Sequence, residues 1–324
     1  MKKIDEGNEI KQVVLMVENK KHAEGLLYQL LGKKIIERQI EKIVQTGINN
    51  LVFLLPLAAD DLRAEIRKIA INYPIRIATY NLEAKYSSWQ NLVRMKDMFE
   101  ERFFFASAVT VDLIFLFEQM RSWVGDLIMS GQKEKYELDL GSVKGENKYV
   151  TACSHLAMKD YLYLTGNYVI SLKFLTFAQE RMFLHNNWQK VVHEFCQEQV
   201  VKICEFAPTE VMPPIEKFEN YGLALAKKWW LEVYQKNELK GEIAPTVRMT
   251  GEVMTAEGAK VGEYSLIQGP VYLGKKVIVG NFCQLGPNLF LEEEVEIDHY
   301  SQIEEKCWRK KRVINQLKMK VLDK

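Results

Sequence analysis

From Ile243 to Trp308 the chain repeats every six residues without a slip, and no other feature limits its fold so tightly. One position of the six reads Ile243, Met249, Thr255, Val261, Ile267, Leu273, Val279, Leu285, Leu291, Ile297, Ile303. Four residues later the series is Val247, Val253, Ala259, Ser265, Val271, Val277, Cys283, Leu289, Val295, Ser301, Cys307. The first series is large and apolar, the second small. A period of six fits neither the 3.6 of a helix nor the two of a hairpin, but it fits a parallel β-helix, each hexad forming one flat face of a triangular prism. The large residue then points into the narrow interior and the small one fills the remaining space. Gly262, Gly274, Gly280 and Gly286 follow large residues and are expected at corners that need unusual φ/ψ.

A chain of 324 residues has room for a second domain before the prism. The expected division is an α/β domain over 1–238, the β-helix over 239–308 and a basic terminal helix over 309–324 (RKKRVINQLKMKVLDK from Arg309). With 27% charged residues and a net charge of +1, neither nucleic acid nor a membrane is an expected partner. Apolar runs are short and interrupted by charge, and Met1 to Lys11 is polar rather than signal-like, so a cytoplasmic location is expected. Cys153, Cys196, Cys204, Cys283 and Cys307 form no CxxC pair and read as reduced packing residues.

Before the prism the pattern changes. Gln12–Val17 is a continuous apolar run, suited to a strand buried on both faces of a parallel sheet. A polar loop is expected over Glu18–Gly25, then a helix from Ile35 to Thr46 with Gly47 as its C-cap. A strand at Asn50–Leu55, a helix at Asp60–Ile71 and a strand at Ile75–Tyr80 continue the alternation of a doubly wound sheet, whose ligands bind beyond the carboxyl ends of its strands.

These residues resemble the opening of the sugar-phosphate nucleotidyltransferases, a Rossmann-like family. Leu26, Leu27, Gly32, Lys33, Ile35, Ile36, Glu37 and Arg38 match its stretch of Leu-Leu, Gly-Lys and Pro-Leu-Ile-Glu. Tyr86–Leu92 sits where the family has a nucleotide-contacting serine segment, here Ser87 and Ser88. Phe103–Asp112 sits where it has a strand carrying a metal-binding Asp. Thr165, Gly166 and Tyr168 correspond to a sugar-side Thr-Gly-x-Tyr segment, and Lys217–Lys228 to the closing helix. The hexads in turn resemble the left-handed β-helix of the hexapeptide-repeat proteins. Several nucleotidyltransferases continue into such a prism, as the bifunctional UDP-N-acetylglucosamine pyrophosphorylase/acetyltransferases do.

The resemblance implies attack of a sugar phosphate on the α-phosphate of a nucleoside triphosphate, which needs a glycine-rich cradle, a cation and Mg²⁺ held by carboxylates. Here the loop reads Glu18, Asn19, Lys20, Lys21, His22, Ala23, Glu24, Gly25, with one glycine at its far end. The family's lysine falls on Glu24, which reverses the charge. Lys20, Lys21 and His22 are the groups left to meet phosphate. The family's Gly-Asp falls on Ala108 and Val109, which cannot ligate Mg²⁺; Asp112 comes late and suits a helix N-cap. The second metal carboxylate falls near Pro214, with Glu216 two residues off. The expectation is a degenerate domain that serves as a binding, regulatory or scaffold subunit for a nucleotide or nucleotide-sugar, with no cofactor. The alternatives are an active Mg²⁺-dependent nucleotidyltransferase with an atypical loop, and an acyltransferase using His299. Tyr264, Tyr272, Ile278, Phe282, Phe290 and Tyr300 lie outside the two interior positions, and this concentration of outward apolar groups predicts a homotrimer.

Overall fold

The computed structural model describes residues 10–110, 113–133, 142–154, 161–182, 188–206, 218–234, 238–308 and 312–314. Two compact units emerge, one from Met1–Leu26 with Ile36–Met212 and the other from Leu27–Ile35 with Pro213–Lys324.

The first unit opens with β1 (Gln12–Met16), every residue of it buried, as a strand covered on both faces must be. It is followed by α1 (Lys20–Leu26). The short strands β2 (Gln29–Leu30) and β3 (Lys33–Lys34) form a hairpin that groups with the second unit. Helix α2 (Ile35–Gln45) buries Ile36, Ile40 and Ile43, one stripe at helical spacing. It ends at Gly47, whose φ of +84° lets its N–H turn back to the Val44 carbonyl. Then come β4 (Asn50–Pro56), α3 (Asp60–Ala70), β5 (Arg76–Leu82), α4 (Ser88–Arg94) and β6 (Arg102–Ser107). Beyond them lie α5 (Leu113–Met120), β7 (Leu127–Gln132), β8 (Ser142–Glu146), β9 (Tyr149–Ser154), β10 (Leu162–Ser171), α6 (Leu172–Arg181), α7 (Trp188–Glu198) and β11 (Lys202–Phe206).

The described strands form one sheet in the order β5-β4-β1-β6-β10-β7-β11-β9-β8. Strands β5, β4, β1 and β6 are mutually parallel, so their carboxyl ends share one edge. Strand β10 is antiparallel to both β6 and β7, which makes the sheet mixed while leaving that edge intact. One face is covered by an aromatic core in which Trp89 stacks on Trp188 at 3.7 Å and meets Tyr168 edge-on at 5.3 Å.

The second unit contains the prism. Its first face stacks Glu242–Ile243, Lys260–Val261, Ile278–Val279, Val295–Ile297 and Arg312–Ile314. The second stacks Arg248–Thr250, Leu266–Gln268, Gln284–Leu285 and Gln302–Ile303, and the third Val253–Thr255, Val271–Leu273, Leu289–Leu291 and Lys306–Trp308. All these pairings are parallel, and up to Ile303 their offset is 18 residues, so both hexad series stack on themselves that far. In the last coil the offset falls to 17, and Cys307 pairs with Phe290 instead of Leu289. From Thr255 to Ile303 the large series is buried, and from Val253 to Ser301 the small one, whereas Met249, expected inside, is 37% exposed in the first coil.

Four expectations need correction. The glycines Gly262, Gly274 and Gly280 do not carry the unusual φ; among these four only Gly286 does, at +91°, while Tyr264, Lys276, Phe282, Glu294 and Tyr300 take positive φ at the corners. These glycines serve close approach instead, since a Cβ on Gly280 would lie 2.6 Å from the His299 nitrogen of the next coil. Tyr272 is 6% exposed and Phe290 fully buried; α8 (Phe218–Val233) lies on the third face, Trp230 packing on Phe290 at 5.6 Å. Arg312–Ile314 extends the first face as a strand where a helix is expected; the rest of 309–324 lies outside the described residues. Finally, the polar stretch after β1 is not a loop but a helix.

Candidate functional site

The edge where β5, β4, β1 and β6 end is where a sheet of this topology presents ligands. The first segment leaving it follows β1. Asn19 Oδ1 accepts the His22 N–H at 2.9 Å and the Asn19 carbonyl accepts that of Ala23, so Asn19 caps α1 and the chain enters a helix at once. Lys20 reaches Glu24 at 3.9 Å across one turn, while Gly25 is buried inside the helix. His22 Nδ1 lies 4.0 Å from the Glu18 carboxylate. Burial lowers the His22 pKa and raises that of Glu18, so each group is pushed toward its neutral form despite the neighbour. In a helix successive N–H groups run parallel to the axis and all but those of the first turn are taken by the carbonyls of the turn before; Asn19 already takes that of His22, so this stretch does not wrap its N–H groups around a phosphate as a glycine loop does.

The second segment joins β5 to α4. It is built around Asn91, 2% exposed, whose Oδ1 accepts the Glu83 N–H at 2.8 Å. Its Nδ2 donates to the carbonyls of Glu83, Tyr86 and Ser87 at 3.1, 3.2 and 3.1 Å. Sequence reasoning named Ser87 and Ser88 here and missed Asn91. Ser87 is the N-cap, its hydroxyl and the Gln90 side chain forming a reciprocal capping box, and Ser88 begins the helix. Tyr86, Gln90, Val93 and Arg94 of this element, with Gln179 and Met182, line a shallow surface cleft. The Arg94 guanidinium stands 4.3 Å over the Tyr86 ring.

The third segment is the exit of β6. Ser107, Ala108, Val109 and Thr110 are all buried. Gln39 Nε2 donates to the Ala108 carbonyl at 2.6 Å, while its Oε1 and the Ser107 hydroxyl are buried without a hydrogen-bond partner. Thr110 donates to Asn167 Oδ1 at 3.3 Å, and Asn167 Nδ2 to Thr165 at 3.1 Å. Ser130 is hydrogen-bonded to Thr165 and donates to the Asn167 carbonyl at 2.9 Å. This network is buried, neutral and composed of hydroxyls and amides. Of the sugar-side residues, Thr165 belongs to it, Gly166 with φ +79° sits where the register of β10 with β7 shifts, and Tyr168 is fully buried in the aromatic core. Asp112 and Glu216 lie outside the described residues. Among the described residues no group of three His, Cys, Asp or Glu side chains is placed to hold a metal ion.

In the prism, His299 stands exposed at the corner between the first and second faces. Its Nδ1 accepts the Asn281 N–H at 2.9 Å, which places the ring proton on Nε2. A neutral imidazole has one lone pair, and here the backbone occupies it, whereas a general base needs it for the substrate proton. Among the described residues no helix is long and apolar enough to cross a membrane.

No protein-family model matches the sequence, and no curated protein matches it either. Solved structures do resemble it. The inositol-1-phosphate CTP transferase from T. maritima superimposes with a TM-score of 0.54 at 10% identity, over 68% of this chain and 97% of that one. A protein described as a glucose-1-phosphate thymidylyltransferase from Bacillus anthracis, in complex with a sucrose, does so with a TM-score of 0.53 at 12% identity, over 67% and 95%. At such identities the likeness speaks to the fold: an α/β unit built like those nucleotidyltransferases, followed in this chain by a parallel β-helix.

Proposed function

We propose that this chain is a nucleotidyltransferase-like protein that recognises a nucleotide or nucleotide-sugar without transferring a nucleotidyl group, and that it serves as a binding, regulatory or scaffold subunit. The observation that supports this most is the exit of β6, where Ser107, Ala108, Val109 and Thr110 are buried in a neutral hydrogen-bonded network. Phosphoryl transfer concentrates negative charge that must be met by cations and by a metal on carboxylates, and hydroxyls and amides do not supply that. Helix α1 in place of a glycine cradle supports the same reading. The β5–α4 loop favours retained recognition, because Asn91 holds its backbone in one conformation. Self-association through the β-helix is part of the proposal.

The test has two arms. Incubation with each nucleoside triphosphate, sugar or alditol phosphates and Mg²⁺ is expected to release no pyrophosphate above a protein-free control. Thermal-shift titration is expected to show stabilisation by one nucleotide or nucleotide-sugar, with or without Mg²⁺. EDTA-sensitive pyrophosphate release would make the chain an active transferase, and the absence of a shift with every nucleotide and nucleotide-sugar would remove the binding role.

A further inference from the structure

The prism corner between its first and second faces carries three aromatic rings in a column, Tyr264, Phe282 and Tyr300, one per coil. Consecutive rings stack at 5.2 Å, with interplanar angles of 12° and 4°. All three occupy left-handed backbone, φ 58°, 58° and 60°, a region that bulky residues avoid and glycine or asparagine would fill without strain. They are 59%, 48% and 62% exposed. Strained, exposed aromatics on an otherwise regular corner mark a surface that meets something.

Neighbouring columns show what it meets. On the first face, strand register stacks Glu242, Lys260, Ile278 and Glu296 in that order; Lys260 is salt-bridged to Glu242 at 2.9 Å, and Ile278 is 44% exposed. Beside the rings, the preceding corner positions are Glu263, Asn281 and His299, tied coil to coil by Glu263 N–H to Asn281 Oδ1 and Asn281 N–H to His299 Nδ1, both at 2.9 Å. Over the three coils centred on Phe282, each column is complementary to its own reversal: tyrosine, phenylalanine, tyrosine; cation, isoleucine, anion; carboxylate, amide, imidazole. All three reverse about the same middle coil. In the coil before these stand Glu242 and Thr246.

A two-fold axis in the interface, perpendicular to the prism axis, reverses coil order and keeps columns facing their own kind. We infer that a second copy of this chain docks antiparallel on this corner. Phe282 then meets Phe282 and Ile278 meets Ile278 at the centre, flanked on each side by Tyr264 against Tyr300. Each Lys260 faces a Glu296, and each Glu263 faces a His299. The imidazole suits that role, since with Nδ1 held by Asn281 the ring donates from Nε2–H, and a carboxylate opposite is an acceptor. A parallel arrangement would instead set equal coils against each other and pair none of these charges. The third face takes no part, being covered by α8. The strip is short, at the low end of specific interfaces, so association is expected in the micromolar range.

Light scattering and sedimentation of the full chain at tens of micromolar are expected to give about twice 37.7 kDa, and Phe282→Asp to weaken the dimer at least tenfold with an unchanged circular dichroism spectrum. Lys260→Glu is expected to weaken it and the added Glu296→Lys to restore it, because the two positions meet across the axis. In a cysteine test, Tyr264→Cys and Tyr300→Cys are oxidised separately and mixed; a disulfide dimer is expected in the mixture alone. A monomer for the unmodified chain, a trimer, or cross-linking within either single variant would overturn the proposal.

Discussion

Glu292 has zero exposed surface, and its carboxylate takes the N–H of Leu31 at 2.5 Å on one oxygen and that of Gly32 at 3.1 Å on the other. Leu31 and Gly32 have φ of +52° and +79°, so two successive N–H groups point the same way and make an anion-holding concavity. In Glu292→Ala both donors lose a charged acceptor at about 1.5–3 kcal/mol each. Some of that returns if water enters the space, so about 3–5 kcal/mol of stability of the second unit is expected to go. At roughly 3 °C per kcal/mol for a unit of this size, its melting temperature should fall by about 10 °C or more. Hydrogen exchange by mass spectrometry reads the site directly, through faster exchange at Leu31 and Gly32 than at amides of the prism core. Gly32→Ala probes the same seat sterically, because the added Cβ would lie 2.6 Å from the Tyr272 hydroxyl oxygen. An alanine at position 292 that leaves the melting temperature within 2 °C and hairpin exchange unchanged would refute the assignment.

Other perturbations should separate scaffold from site. Leu285→Ala, at a fully buried prism position, is expected to cost about 2–5 kcal/mol, read from the denaturation of the second unit. Asn91→Ala removes the hub of the β5–α4 loop; about 2–3 kcal/mol should be lost, and any nucleotide-induced thermal shift should weaken at least tenfold in apparent affinity, whereas retention of that shift would place recognition elsewhere. The pair after β1 predicts a pH response. His22 has a folded pKa below 6.5, so the unfolded chain takes that proton first and stability falls as pH drops from about 7 through the folded value; Glu18, raised above 4.5, takes its proton first when folded and returns stability as pH drops from its folded value through 4.5. Unfolding midpoints of the first unit across pH 7.5–4, compared with His22→Gln and Glu18→Gln, should lose the descent in the first variant and the recovery in the second.

The prism was legible because its signal is redundant: each coil repeats the same volume constraint, so the hexads between Val253 and Ile303 agree on one register and are buried as expected, while the end coils depart from it at Met249 and Cys307. The corners were less legible, since a glycine can answer two demands. A positive φ and a backbone passing within contact distance both select it, and only coordinates showed that at Gly280 the second applies while Phe282 bears the strain. Burial of Phe290 follows from a helix whose Trp230 reaches the third face, and the Tyr272 hydroxyl lies against Gly32 of the hairpin; these are long-range pairings that no local period encodes. Glu292 had a signal that could have been used, a carboxylate at the hexad position held elsewhere by Gly274, Gly280 and Gly286, where side chains have little room. An acid placed there must have donors waiting, and the hairpin residues Leu31 and Gly32 supply them from more than 250 residues away. The segment after β1 was misread for a related reason. Polar composition says only that water is near, whereas Asn19 with Ala23, Glu24 and Leu26 behind it is a cap followed by helix formers. Weighing caps before polarity makes a helix the expected structure there, and a helix that starts four residues after the strand ends, at Lys20, takes the place of the glycine loop that would wrap a triphosphate.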